Sequence, residues 1–344
     1  MRDVTPPSET LEAEARSRLE SLATPPGALG RLGDLAVWVA TRQGSVPPVP
    51  LDNVRLVIFA GDHGVAEHGV SAFPSAITGA MVRTFLAGKA GVSALAQAHN
   101  VAVRVLDVGV KEDFPDLDDA TRESLQAFKI RRGSGALHIE DALTEEETRA
   151  AFEAGATVAR EEIAAGAQLL LSGDMGIGNT TPAAAMIAAA LGLAGADVAG
   201  RGTGIDDAGL KTKIDAIDQA LARLGDRASD PMQILQAVSS ADLTATTGYL
   251  VTAAESGIPV LLDGLMSVAC AVVANRIAPG AAAWFAAGHR STEPAQSRAL
   301  AELQLEPILD LQMRLGEGSG AVAAVPVLRS AVASRSFSEF RRSP

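Results

Sequence analysis

A short apolar run, Leu169-Leu-Leu171, leads into Ser172-Gly-Asp-Met-Gly-Ile-Gly-Asn-Thr-Thr-Pro182, which sets three glycines, a carboxylate and three hydroxyls at the mouth of a helix. Such a loop can hold a phosphate. Gly173, Gly176 and Gly178 let backbone N–H groups approach an anion, Thr180 or Thr181 can cap the helix, and Pro182 suits its first turn. The stretch lacks the third glycine of a dinucleotide turn and the Gly-Lys-Ser/Thr of a nucleoside-triphosphate loop, so its spacing points to phosphate without saying which.

Two carboxylates accompany it. Glu317, flanked by Gly316 and Gly318, reads either as a general base that no neighbour shields or as a solvated loop glutamate. Asp174, inside the phosphate loop, either faces a developing cation such as ribose C1′ in a glycosyl transfer or ties the turn that follows it. Lys213 reads as a phosphate counter-ion or, with Lys211, as a solvated helix face. The order Asp62-His63-x-x-x-x-His68 fits no helical ligand pair, so no metal site is expected, and without Gly-x-Ser-x-Gly neither is a hydrolase elbow.

These residues need a frame, and strand-length apolar runs supply one at residues 54–60, 101–108, 167–171, 258–262 and 281–287. Helical patterns lie between. The clearest opens with the capping box Thr144-Glu-Glu-Glu147, sets Phe152, Ala156, Ala159 and Ile163 on one face and stops at Gly166. The alternation predicts an α/β fold with a mostly parallel, doubly wound sheet. Asp62-His63, Asp107, Ser172 to Asp174, Asp263 and His289 then fall just past strand carboxyl ends, where open sheets bind ligands. The two helical ends, residues 1–46 and 292–344, are expected to pack as a small domain beside a large one at 47–291. Two more glycine-dense loops, Gly200-Arg-Gly-Thr-Gly204 and Gly316-Glu-Gly-Ser-Gly320, favour a ligand cradle.

Composition narrows the class. A formal charge of −12 over 344 residues argues against nucleic acid or an anionic membrane as partner, so an anionic substrate must be held by local donors. The N-terminus lacks the apolar core of a signal peptide, and the uncharged stretch 182–196 is too short to span a bilayer, so a cytoplasmic protein is expected. The single Cys270 sits among apolar neighbours and reads as a core thiol.

Taken together, Pro25-Pro-Gly-Ala-Leu-Gly-Arg-Leu32, Ala60-Gly-Asp-His-Gly-Val65, Gly69-Val-Ser-Ala-Phe-Pro74, Gly173 to Thr181, Gly200 to Ile205, Pro259-Val-Leu-Leu-Asp-Gly264 and Arg314-Leu-Gly-Glu-Gly318 resemble the nicotinate-nucleotide–dimethylbenzimidazole phosphoribosyltransferase family, over nearly the whole chain. The resemblance implies a Rossmann-like parallel sheet with helices on both faces, a small helical domain and a homodimer. It implies phosphoribosyl transfer from nicotinate mononucleotide to an aromatic base of benzimidazole type, for the lower nucleotide loop of cobalamin, with no metal or organic cofactor. By resemblance Glu317 is the catalytic base, with Asp174 as second carboxylate. The phosphoribosyl site is implied at Met175, Gly176, Ile177, Gly178, Asn179 and Thr180, at Gly202, Thr203 and Gly204, at Lys213, Asp263, Gly264 and Ser291, and at Gly316. The base is implied to lie on Pro74, Ala80, Met81 and Leu315. Four positions depart from the family pattern: Asp174 stands for a glutamate, Ser239-Ser-Ala-Asp242 for Gly-Gly-x-Glu, Ala295-Gln296 for Gly-His, and Ala80 for a base-contacting glutamine.

Overall fold

The computed structural model describes residues 4–334. Residues 1–3 and 335–344, the outer ends of the expected small domain, lie outside the described residues. Five parallel strands, β1 (Val54–Gly61), β2 (Val101–Gly109), β3 (Leu169–Met175), β4 (Val260–Leu262) and β5 (Phe285–Ala287), form one sheet in the order β2-β1-β3-β4-β5. Parallel strands need crossovers, and crossover helices bury both faces, which is why these strands read as continuous apolar runs.

Alternate side chains divide between two cores. Val57, Phe59, Leu170 and Leu262 meet Phe152, Tyr249, Val268 and Ile187 from helices Glu145–Ala164, Ala241–Glu255, Leu265–Ile277 and Thr180–Leu191. Leu56, Ile58, Leu171 and Leu261 meet Leu35, Val39, Val92 and Val322 from helices Gly30–Gln43, Gly91–Ala98 and Ser319–Ala333. The chain ends therefore meet on this second face, where Gly30–Gln43 packs on both Glu9–Ser21 and Ser319–Ala333. Helix Pro294–Glu302 packs elsewhere, on Leu265–Ile277 and Thr180–Leu191.

The Thr144 capping box forms as expected, with Phe152, Ala156 and Ala159 buried behind it. Two expectations need correction. The fifth apolar run opens as a 3-10 turn, Ala281–Trp284, because only Phe285–Ala287 finds partners on the three-residue β4. β3 outruns its apolar stretch, since Ser172, Gly173 and Asp174 pair with Val57, Ile58 and Phe59. Gly173 is thus a strand residue, not a loop residue. Its lack of a side chain serves a close approach, because a Cβ there would come within 2.4 Å of the Glu317 backbone oxygen. No helix among the described residues is long and apolar enough to cross a membrane.

Candidate active site

The strand order reverses between β1 and β3, so their carboxyl ends open a crevice there. From Met175 the chain turns through residues 176–179 into helix Thr180–Leu191. Gly176 is wedged in place, since a Cβ would come within 2.1 Å of Gly61 O and 2.3 Å of His63 Nε2. Asn179, not a threonine, occupies the N-cap, and its side chain makes no cap. It turns back instead, Nδ2 donating to Asp174 Oδ2 at 2.6 Å. Thr180 and Thr181 are the first helical residues, which corrects their reading as caps.

The Thr180 hydroxyl is held by Lys213, whose Nζ donates to Thr180 Oγ1 (2.8 Å) and Gly200 O (3.0 Å). Lys213 is 1% exposed, so the alternative of a solvated helix face is ruled out for it. Burial lowers its pKa, with Glu293 working the other way. Glu293 also fixes the next turn by accepting the Gly202 N–H at 2.9 Å. Arg201, on that turn, is occupied by Ile205 O and Asp207.

Across the crevice, Gly316, Glu317 and Gly318 all have left-handed backbone, with φ of 76°, 65° and 90°. A non-glycine residue there is strained and must be held by its surroundings. Asp263 does the holding, accepting the N–H groups of Gly318, Gly320 and Ala321 at 2.8–3.1 Å. Its carboxylate is spent on that backbone and lies behind the crevice wall. Glu317 is 7% exposed, and its Oε2 accepts the Val92 N–H at 3.3 Å. A solvated loop glutamate is therefore excluded. Burial raises its pKa above the usual carboxylate range, with the Val92 bond opposing.

Asp174 is buried at the floor. Burial first, then the nearby carboxyl of Asp242, raises its pKa well above the ordinary value, with Asp263 and Glu317 adding to the shift. Beneath it lies a second titrating pair, His63 and Asp242, 3.7 Å apart. Burial takes His63 down to about 4 and Asp242 up to about 7. Asp62, His63 and His68 diverge, Asp62 accepting from the Lys111 N–H and His68 stacking edge-on against His138. Among the described residues no group of three or more His, Cys, Asp or Glu is arranged to hold a metal ion. Cys270 is buried, and its thiol donates to Leu243 O.

The model of a family described as phosphoribosyltransferase matches residues 4–340. This chain belongs to that family. It is 50% identical over 333 residues to the nicotinate-nucleotide–dimethylbenzimidazole phosphoribosyltransferase of Mycolicibacterium paratuberculosis, covering 97% of this chain and 94% of that one. The Mycobacterium tuberculosis enzyme of the same name is also 50% identical, over 97% and 91%. The crystal structure of CobT from Thermus thermophilus is similar with a TM-score of 0.91 at 43% identity, covering 96% of this chain and 98% of that one.

In this phosphoribosyltransferase the crevice is a cavity of about 290 Å³. Residues 174–180, Gly202, Thr203, Gly264, Ser291, Gly316, Glu317, Met81 and Leu315 line it together. Lys213 and Asp263 stand behind its walls, and Gly204 is not on its lining. Pro74 and Ala80 do not line it either. Both are exposed, and Ala80, although it neighbours Ile77 and Met81 on helix Ile77–Leu86, is absent from the cavity lining. Phe73 and Ile77 line the cavity in their stead; sequence alone does not separate them from core residues. His289, Glu293 and Arg314 also line it. Two of them carried a signal, His289 just past a strand end and Arg314 in the block Arg314 to Gly318. Gln296, one of the departures from the family pattern, is buried and clamps the wall: it accepts the Ser291 N–H and donates to His289 O.

Proposed function

We propose that this phosphoribosyltransferase moves the phosphoribosyl group of nicotinate mononucleotide onto 5,6-dimethylbenzimidazole, or a base of the same shape, giving the α-riboside phosphate and nicotinate for the lower ligand of cobalamin. The observation that carries the reading is the position of Glu317. Its buried carboxylate lines the same cavity as glycine turns suited to a phosphate and as Phe73, Ile77, Met81 and Leu315, apolar side chains suited to an aromatic ring. The names of the relatives supply the substrate pair.

Glu317 takes the N–H proton of the base while the other ring nitrogen attacks C1′ of the mononucleotide. The bond from C1′ to nicotinate breaks with its electron pair going to the pyridinium nitrogen. The leaving group departs neutral at that atom, so no acid is needed, and inversion at C1′ gives the α anomer. The turn at 176–180, Gly202, Gly264 and Ser291 receive the phosphoribosyl group, and Lys213 supplies charge from behind. Asp174 closes the floor as a carboxyl whose burial and acidic neighbours favour the protonated form, which opposes neither the phosphate nor the ionisation of Glu317. The chemistry requires no metal or organic cofactor. A cytoplasmic homodimer is part of the same proposal.

The test is nicotinate release from the mononucleotide, followed by chromatography, with and without dimethylbenzimidazole. Release is expected only with the acceptor, because attack and departure share one carbon. Equal release without it makes the protein a hydrolase, and no release in either case makes it a silent binder.

A further inference from the structure

The cavity wall between the 200–204 turn and helix Pro294–Glu302 carries a carboxylate that the transfer, as derived above, does not use. Glu293 lines the cavity and is 8% exposed. Its Oε1 accepts the Gly202 N–H at 2.9 Å, whereas Oε2 is buried with no hydrogen-bond donor among the described residues. Oε2 is pressed against Gly200, where a Cβ would come within 2.0 Å of it, so only glycine leaves the oxygen its room. Lys213 reaches the same turn. Two of its three N–H bonds go to Thr180 Oγ1 and Gly200 O, and neither goes to Glu293.

A buried carboxylate oxygen without a donor is unfavourable until a ligand brings one. Phosphate cannot, because its oxygens bring further negative charge and lone pairs to a place that already has both. A sugar hydroxyl can, since it gives its proton to Oε2. Resting on the reading of this cavity as a nicotinate mononucleotide site, we propose that Glu293 is a specificity-determining residue that reads a ribose hydroxyl and rejects deoxyribose substrates.

The experiment measures kcat/KM for nicotinate mononucleotide and for its 2′-deoxy and 3′-deoxy analogues, in the wild type and in Glu293→Gln. The glutamine oxygen still accepts the Gly202 N–H, while its NH2 replaces the free acceptor with a donor. Each analogue's intrinsic reactivity is the same in both proteins, so the comparison isolates the contact. The ratio of ribose to deoxyribose kcat/KM, for one of the two analogues, is expected to fall by about 10- to 100-fold in the variant. Should Glu293→Gln not fold, as judged by circular dichroism, Glu293→Asp retracts the carboxylate by one methylene and must lower the same ratio. A variant that slows all three substrates equally, leaving both ratios unchanged, overturns the inference and makes Glu293 a support for the turn. A wild type that transfers nothing from the ribose substrate instead removes the reading of the site, and this inference with it.

Discussion

Glu317 and Asp174 are carboxyl groups in one cavity, both buried and both shifted upward, yet the proposed transfer gives them opposite tasks. Glu317 rides on a left-handed turn pinned by Asp263, with one backbone N–H favouring its charged form. Asp174 is fixed in a strand, has Asp242 and Asp263 near it, and among the described residues is served only by the amide of Asn179. Near the first, charge is tolerated and a proton can come and go. Near the second, burial first and then other carboxyls favour the protonated form. Surroundings, not side-chain type, separate a base from a filler.

The largest test of this contrast is Glu317→Gln, which keeps shape and removes the base. A rate loss of about 10²- to 10⁴-fold is expected, with mononucleotide affinity nearly unchanged. Wild-type activity should also fall on acidification at a pH above the ordinary glutamate range, since the base works only when ionised. An activity within a few-fold of wild type ends the assignment.

On the β3 side, Lys213→Ala removes the buried charge behind Thr180 and should weaken mononucleotide binding by about 1–3 kcal/mol, read by titration at fixed salt. Unchanged affinity would leave the phosphate on backbone N–H groups alone. Asp174→Asn should cost about 10-fold or less in rate, because the amide replaces a carboxyl whose surroundings favour the neutral form. A loss matching that of Glu317→Gln would erase the distinction between the two groups.

Asp242 sharpens the comparison through stability. Its folded pKa of about 7 lies above the ordinary aspartate value, so the folded state binds the extra proton. Stability is then full below the unfolded value and declines as pH rises toward 7. Asp242→Asn should flatten the fall in melting temperature between about pH 4 and 7. An unchanged slope would mean that Asp242 is ionised throughout. The smallest effect is expected for Ala80→Gln, which should alter the choice between benzimidazole and its dimethyl form by less than about 3-fold, since the side chain starts outside the cavity. Sharper discrimination would mean that residue 80 reaches the base.

The sheet was legible because buried parallel strands must be apolar throughout, and the polar groups at their carboxyl ends stood out against those runs. The Gly-Glu-Gly turn was legible because few other sequences permit three left-handed residues. Lys213 was ambiguous because charge along a helix suggests solvent, and only the tertiary fold brings Thr180 and Gly200 to its Nζ. Asp263 resembled a ligand contact because a carboxylate past a strand end has the same sequence signature whether it meets substrate or backbone. Phe73 and Ile77 were missed because an apolar residue carries no mark that distinguishes a cavity wall from a core.

The Val92 N–H that meets Glu317 belongs to the first turn of helix Gly91–Ala98, so one carboxylate closes the end of a helix remote in sequence. Ionised, it answers the partial positive charge of that helix end; protonated, it gives up most of that attraction. Each proton taken from an incoming base would therefore loosen the first turn of that helix, and each proton released would tighten it. Amide exchange at Val92 thus provides a spectator's record of the charge on Glu317, readable in the resting protein without any substrate present.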